Sequence, residues 1–255
     1  MVIGTMLPDI WHMVPDLLQR YETHSLIGQL NFTVPVGLVL LFLFHTWLKR
    51  PLLALTPYAV QQRAYSLVER PFRWWPLTRF GAILFSLWLG GFVHILWDSF
   101  THNGGWMVRH IAFLHSVVFI SNNSWMGREP VTVAWFMQHT SSIVGFILLC
   151  VIYVRWHRSA PMMEVPPEQQ ISSVVRIAFW FCTVFVALVS AKVFGDRYTV
   201  WWSIHFLSIP RVPKSMLVGH QGMAAFNAAT LCVLSFCIWY SAIRRKVRPV
   251  QTASE

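Results

Sequence analysis

Four short stretches of the chain carry side chains able to bind a metal ion. The strongest is His94-Ile-Leu-Trp-Asp98-Ser-Phe-Thr101-His102, followed by Gly104-Gly105, a pair suited to stopping a helix. At about 100° per residue, positions four and eight apart are offset by only about 40° and 80°, so His94, Asp98 and His102 fall on one stripe of one helix. A His and an Asp one turn apart can grip the same ion. Imidazole with carboxylate suits zinc or a similar first-row divalent ion, and a catalytic zinc usually takes three protein ligands and leaves a position for water. The plain alternative is that the three residues cap a helix at a polar boundary. The second stretch is Glu22-Thr23-His24-Ser25, in which Thr23 or Ser25 can cap a helix while His24 points across to a neighbour. The third is Pro8-Asp9, with His12 and Asp16 nearby; Asp9 supplies another carboxylate ligand or merely begins a turn after the proline. The fourth is Gln138-His139-Thr140-Ser141-Ser142, which caps and packs a helix start or supports a substrate or the outer partners of a metal site.

The elements that must position these residues are membrane spans. Of 255 residues, 55% are hydrophobic and 12% charged, and the mean hydropathy is +0.50, which argues against a water-soluble enzyme. Five stretches suffice to cross about 30 Å of hydrocarbon: Leu26 to Leu48, Phe80 to Trp97, Phe136 to Val154, Val174 to Phe194 and Leu217 to Tyr240. The expected fold is all-α and polytopic: residues 1–158 form a three-span region with the site, 159–173 a cytoplasmic linker around Pro166-Pro167, and 174–255 a two-span region with a basic tail. No charged leader with a cleavage site opens the chain, so insertion is expected from internal spans.

A formal charge of +10 could signal nucleic acid, but 14 Trp, 19 Phe and the long apolar runs point to a membrane surface instead, and no nucleic-acid partner is expected. Thirteen of the 20 Lys and Arg fall on one side of the five-span arrangement, which makes that side cytoplasmic and puts the N-terminus outside and the C-terminus inside. His24, His94, Asp98 and His139 then reach the same outer face, a convergence the charge count did not require. His45 and His157 belong at inner ends. His110 and His115 belong to an outer loop, on a short surface helix from Val108 to Ile120, and His205 and His220 flank the last outer loop. Cys150, Cys182, Cys232 and Cys237 lie in apolar runs with no metal-finger spacing and read as small core residues without a disulfide framework. Nucleophile-elbow and phosphate-loop motifs do not occur.

Taken together, Gly4-Thr5-Met6-Leu7-Pro8-Asp9, Thr23-His24-Ser25-Leu26, Lys49-Arg50-Pro51-Leu52-Leu53, His94-x-x-x-Asp98-x-x-Thr101-His102-x-Gly104-Gly105-Trp106 and Gln138-His139-x-Ser141-Ser142 resemble an uncharacterised family of bacterial multipass membrane proteins. That family is similar to membrane-bound metal-dependent hydrolases, whose T-H-S and H-x-x-x-D elements resemble those of zinc-dependent phospholipase C. The match runs in order from Met1 to Arg158. It implies metal-facing roles for Asp9, His24, His94 and Asp98, and extends to His102 and His139. Such families also carry an upstream His-Pro pair with no counterpart here, so either the start is displaced or a ligand is absent.

The expected function is a metal-dependent hydrolase of the bacterial inner membrane, cleaving a phosphoester or related bond of a membrane lipid or lipid-linked substrate at the outer face. The expected ligands of a divalent ion, zinc by type, are His24, His94, Asp98, Asp9 and His102, with Asp98 or Asp9 as ligand or base. Thr23, Ser25, Thr101, Gln138 and His139 are expected to support the ligands or the substrate. Two other classes fit the composition: a non-enzymatic scaffold in which these residues only hold helices together, and a transporter, which would carry its charges near mid-span, where this sequence has almost none.

Overall fold

The computed structural model describes residues 1–12, 23–123, 127–202 and 214–247; Asp16, Glu22 and His205 lie outside the described residues. A short helix, α1 (Val2–Met6), leads into a 3-10 turn, Pro8–His12. The first span, α2, is helical over Leu26–Ala54, and α3 (Tyr58–Glu69) follows it. The second span contains α4 (Leu77–Thr101), and the short helices α5 (Trp106–His110) and α6 (Ala112–His115) come next. Strands β1 (Val117–Asn123) and β2 (Gly127–Thr132) pair antiparallel. The third span is α7 (Val133–Ser159). The fourth comprises α8 (Ser173–Ser190), a π turn (Ala191–Gly195) and α9 (Asp196–Trp202), and the fifth is α10 (Lys214–Val247).

Five helices among the described residues are long and apolar enough to cross a membrane. The protein is a polytopic α-helical membrane protein. The first span also shows how its prolines are accommodated. Each lacks a backbone N–H and crowds the carbonyl four residues back, and π turns over Gln29–Thr33 and Phe44–Leu48 widen the helix just before Pro35 and Pro51.

The surface helix expected from Val108 to Ile120 is not formed. The helical residues stop at His115, and from Val117 the chain is a strand. The run Val117-Val118-Phe119-Ile120 is β-branched and aromatic, and pairing with Pro130–Thr132 suits it better than a helical turn does. The cysteines also depart from expectation: all four are free, but only Cys237 is buried, and Cys150 and Cys182 are exposed.

The chain divides into two compact units. One comprises Met1–Leu41, Arg73–Ser159 and Tyr198–His220, and the other Phe42–Phe72, Ala160–Arg197 and Gln221–Glu255. In the first, α1 lies directly on α4, because Gly4 meets the Leu87 carbonyl and Gly90 the Met1 carbonyl with no room for a Cβ at either. A second cluster of Val108, Leu114 and Ala134 fixes the start of α7 beside α5 and α6. In the other unit, Ala54, Leu55, Phe236 and Tyr240 form the core. The end of α2 is capped there, with Gln61 Nε2 and Arg176 Nε donating to the Ala54 carbonyl and Trp180 Nε1 to that of Leu55.

Candidate metal centre

Asp9, His24, His94 and Asp98 each turn one ligand atom towards the others, and the four atoms lie within 4.8 Å of one another. They come from three segments: the 3-10 turn, the approach to α2, and α4. His24 Nε2 is 3.5 Å from Asp9 Oδ1 and 3.5 Å from Asp98 Oδ2. His94 Nε2 is 3.5 Å and 3.4 Å from the same two oxygens. These separations exceed good charge-assisted hydrogen bonds, which fall near 2.7–2.9 Å. His94 Nε2 is buried and has no hydrogen-bond partner. A tetrahedral ion about 2.0–2.1 Å from each donor would hold them about 3.3–3.4 Å apart. The four His–Asp separations are close to that spacing, and the group can hold a metal ion.

Each segment is shaped to deliver its ligand. On α4, the four-residue spacing puts His94 and Asp98 one turn apart on the same stripe. Asp9 sits in the first turn of Pro8–His12, so it is at once the turn residue and the candidate ligand expected of it. His24 precedes α2, where Ser25 is the N-cap and its hydroxyl accepts from Gly28 N at 2.9 Å. The fully buried Thr23 places its hydroxyl 3.0 Å from His24 Nδ1, which leaves Nε2 for the site.

Sequence reasoning did not find Gln29 as part of this machinery. Its side chain is fully buried, and Nε2 donates to the Thr23 carbonyl at 2.7 Å, while its Oε1 rests on Gly91, where any Cβ would overlap it. Gln29 thus clamps the turn that carries His24 onto α4 three residues before His94. A polar residue in an apolar span and a Gly90-Gly91 pair in the next were the visible signals, but nothing in the sequence says that they meet.

His102 stands outside the four-residue group. The helix ends at Thr101, and His102 is its C-cap (φ −101°, ψ 136°) with its N–H still bonded to the Asp98 carbonyl, so its side chain stays one turn from Asp98 while the chain beyond it turns away. Its Nδ1 lies 3.5 Å from Asp98 Oδ1, the oxygen turned away from His94, and its Nε2 lies 3.4 Å from Gln138 Nε2. Thr101 donates to the Trp97 carbonyl at 3.0 Å. His139 is drawn elsewhere, stacked on Trp135 at 3.7 Å with Nδ1 against the Trp135 carbonyl, and His110 repeats the arrangement on Trp106. His45 stacks on Phe72 in the other unit, and His220 pairs with Thr199 at 2.8 Å. Gly104-Gly105 ends the helix as expected, with Gly105 N bonded to the His102 carbonyl at 2.7 Å.

The depth of the group follows from α4. Arg79 and Asp98 are 19 residues apart, about 28 Å of helix against a hydrocarbon thickness of about 30 Å. That length suffices to cross the hydrocarbon, and Asp98, with His94 one turn before it, lies near the C-terminal end of α4. Side-chain exposure is 10% for His24, 15% for His94 and 16% for Asp98, but 52% for Asp9. Asp9 is the side on which the group opens.

Fold and site together define a multispan helical membrane protein with a two-His, two-Asp cluster at the end of its spans that can bind a metal ion. Residues 1–242 match the family described as a domain of unknown function (DUF4184), and the chain belongs to it. No curated protein and no solved structure was found to match.

Proposed function

We propose that the protein is a metal-dependent hydrolase of the membrane, which holds a divalent ion among Asp9, His24, His94 and Asp98 and cleaves a phosphoester or related bond of a lipid-linked substrate. Two imidazoles and two carboxylates make zinc the favoured ion. The observation that carries the reading is the set of four His–Asp separations of 3.4–3.5 Å around a buried His94 Nε2 with no hydrogen-bond partner. A divalent ion in such a site polarises a phosphoryl oxygen and lowers the pKa of a water towards neutrality. In hydrolysis the water oxygen bonds to phosphorus, the bond to the leaving oxygen breaks, and one water proton ends on the leaving alcohol. Within this chain, His24 and His94 would hold the ion through Nε2, and Asp98 divides its two oxygens between the site and His102. The exposed Asp9 faces the entrance, as ligand or base.

The place of the cluster near the C-terminal end of α4 supports a lipid substrate, because spans end at the hydrocarbon boundary and the bond between headgroup and glycerol lies near it. The resemblance of the T-H-S and H-x-x-x-D elements to zinc-dependent phospholipase C supports the same chemistry, and a bacterial cytoplasmic membrane as the setting. The charge bias favours an external site and a cytoplasmic C-terminus.

Detergent-purified protein is expected to carry about one divalent ion, as at other sites with four protein donors. His94→Ala and Asp98→Ala are expected to lose both the ion and release of headgroup from phospholipid vesicles, while eluting as folded protein. Full metal occupancy in either variant refutes the site.

A second reading is favoured by the number of donors, since four protein ligands are usual for a structural ion. The ion would then only tie the N-terminal turn to α4. Asp9→Asn separates the two readings: an enzyme keeps its ion on three ligands and loses or alters turnover, whereas a structural clamp loses affinity with no turnover to lose.

A further inference from the structure

The hairpin between the second and third spans has an apolar surface that the site does not use. Val117, Val118, Phe119 and Ile120 are 53%, 54%, 51% and 54% exposed, and Ile111 and Phe113 just before them are exposed as well. Phe119 pairs with Val131 and Ile120 with Pro130, so these two neighbours point to opposite faces of the ribbon. One ribbon is therefore apolar on both sides at the same level. A protein partner docking on a face would cover one side; a fluid apolar medium covers both.

The apolar character is also graded along the ribbon. Among the described residues of the ribbon it lies at the end rooted in the spans, where β2 runs directly into α7 and Thr132 Oγ1 donates to Asn103 Oδ1 at 3.2 Å, beside the end of α4. The far end reads Ser121-Asn122-Asn123 and Gly127-Arg128-Glu129. The exposed apolar surface thus adjoins the ends of the two spans and, among the described residues, gives way to polar ones away from them. A two-stranded ribbon keeps unpaired backbone groups on both outer edges, which hydrocarbon does not tolerate. The level left to it is the headgroup layer. Trp106, 57% exposed at the start of α5, suits the same level.

We propose that residues Ile111–Ile120 form a membrane-contacting element, with the base of the hairpin immersed in the headgroup layer of the leaflet on the site's side and Asn123 in water. This does not depend on the metal or hydrolase reading. The foot of the hairpin is bonded to Asn103, next to His102, so the element also borders the cluster.

Single cysteines at Phe119, Ile120 and Asn123, in protein with the four native cysteines changed to Ala, are labelled with nitrobenzoxadiazole and reconstituted in phosphatidylcholine and phosphatidylglycerol vesicles. Emission is then quenched with nitroxide-bearing phospholipid, or with iodide on both sides of the membrane. The label at both Phe119 and Ile120 is expected to lose emission to the nitroxide lipid and not to iodide, and the label at Asn123 the reverse. A label at the exposed span residue Phe146 gives the lipid reference, and elution volume confirms the fold of each variant. Iodide quenching at both Phe119 and Ile120 overturns the proposal, as does protection of only one of them. Protection that disappears when the protein is diluted in the vesicles also overturns it, and identifies a second copy as the cover.

Discussion

The contact between Gln29 and Gly91 makes the sharpest demand on the geometry of the cluster. In Gly91→Ala the new Cβ falls inside the position of Gln29 Oε1, 2.8 Å from Cδ and 3.1 Å from Thr33 Cγ2. Backbone holds both elements, so the amide must move, by roughly 1.5 Å to regain ordinary contact, and its 2.7 Å bond to the Thr23 carbonyl cannot survive that shift. Leaving a buried carbonyl without its donor costs about 1–3 kcal/mol. Here the cost falls on the turn whose next residue is His24. A metal-bound state requires that turn in place, whereas the metal-free state can relax, so the loss should be read as ion affinity, weaker by about 10–100-fold. Chelator competition on purified protein measures it, with thermal aggregation as the check on folding. Gly81→Ala is the control, because a Cβ there meets nothing within 4 Å in the same span. Native ion affinity in a folded Gly91→Ala protein would refute the clamp, and equal damage from Gly81→Ala would show that the helix, not the contact, is sensitive.

Two further outcomes are expected. His24→Gln should lose the ion and any turnover, whereas His45→Gln should leave both unchanged, because His45 follows His24 by 21 residues, is not one of the four clustered residues and stacks on Phe72 instead; equal sensitivity would mean that the first span does not separate them. A reporter fused after Glu255 should be cytoplasmic and a label at Asn103 accessible from outside; the reverse result would put the cluster on the inner face.

The number and type of spans were legible because hydrophobic length alone selects them, and even Pro35 and Pro51 shifted only the local winding. The His94-Asp98 pair was legible for a similar reason: four residues is one helical turn, whatever packs against it. The same rule set His102 one turn beyond Asp98, where it lies against the other carboxylate oxygen and outside the four-residue group. The Val117–Ile120 run was ambiguous from the start, since a short apolar stretch suits a helix or a strand until a partner is known. Its partner is Pro130–Thr132, beyond the residues that the expected surface helix covered.

A bilayer gives a sequence reader one coordinate that a soluble fold withholds, which is depth. Knowing that α2 and α4 are spans was enough to bring His24 level with His94 and Asp98, since the length of each helix sets where its end emerges. The other two coordinates, rotation about each axis and the choice of neighbour, depend on packing. They are fixed here by backbones that touch only because Gly4, Gly90 and Gly91 have no side chains, and by one amide, that of Gln29, fitted into the gap. Asp9 shows the division most clearly. Its place in a turn was visible from Pro8, but its arrival opposite two imidazoles depends on α1 lying down along α4. The ligand types and their depth are thus local properties of the chain, while the 3.4–3.5 Å separations that make them a candidate metal centre are properties of its packing.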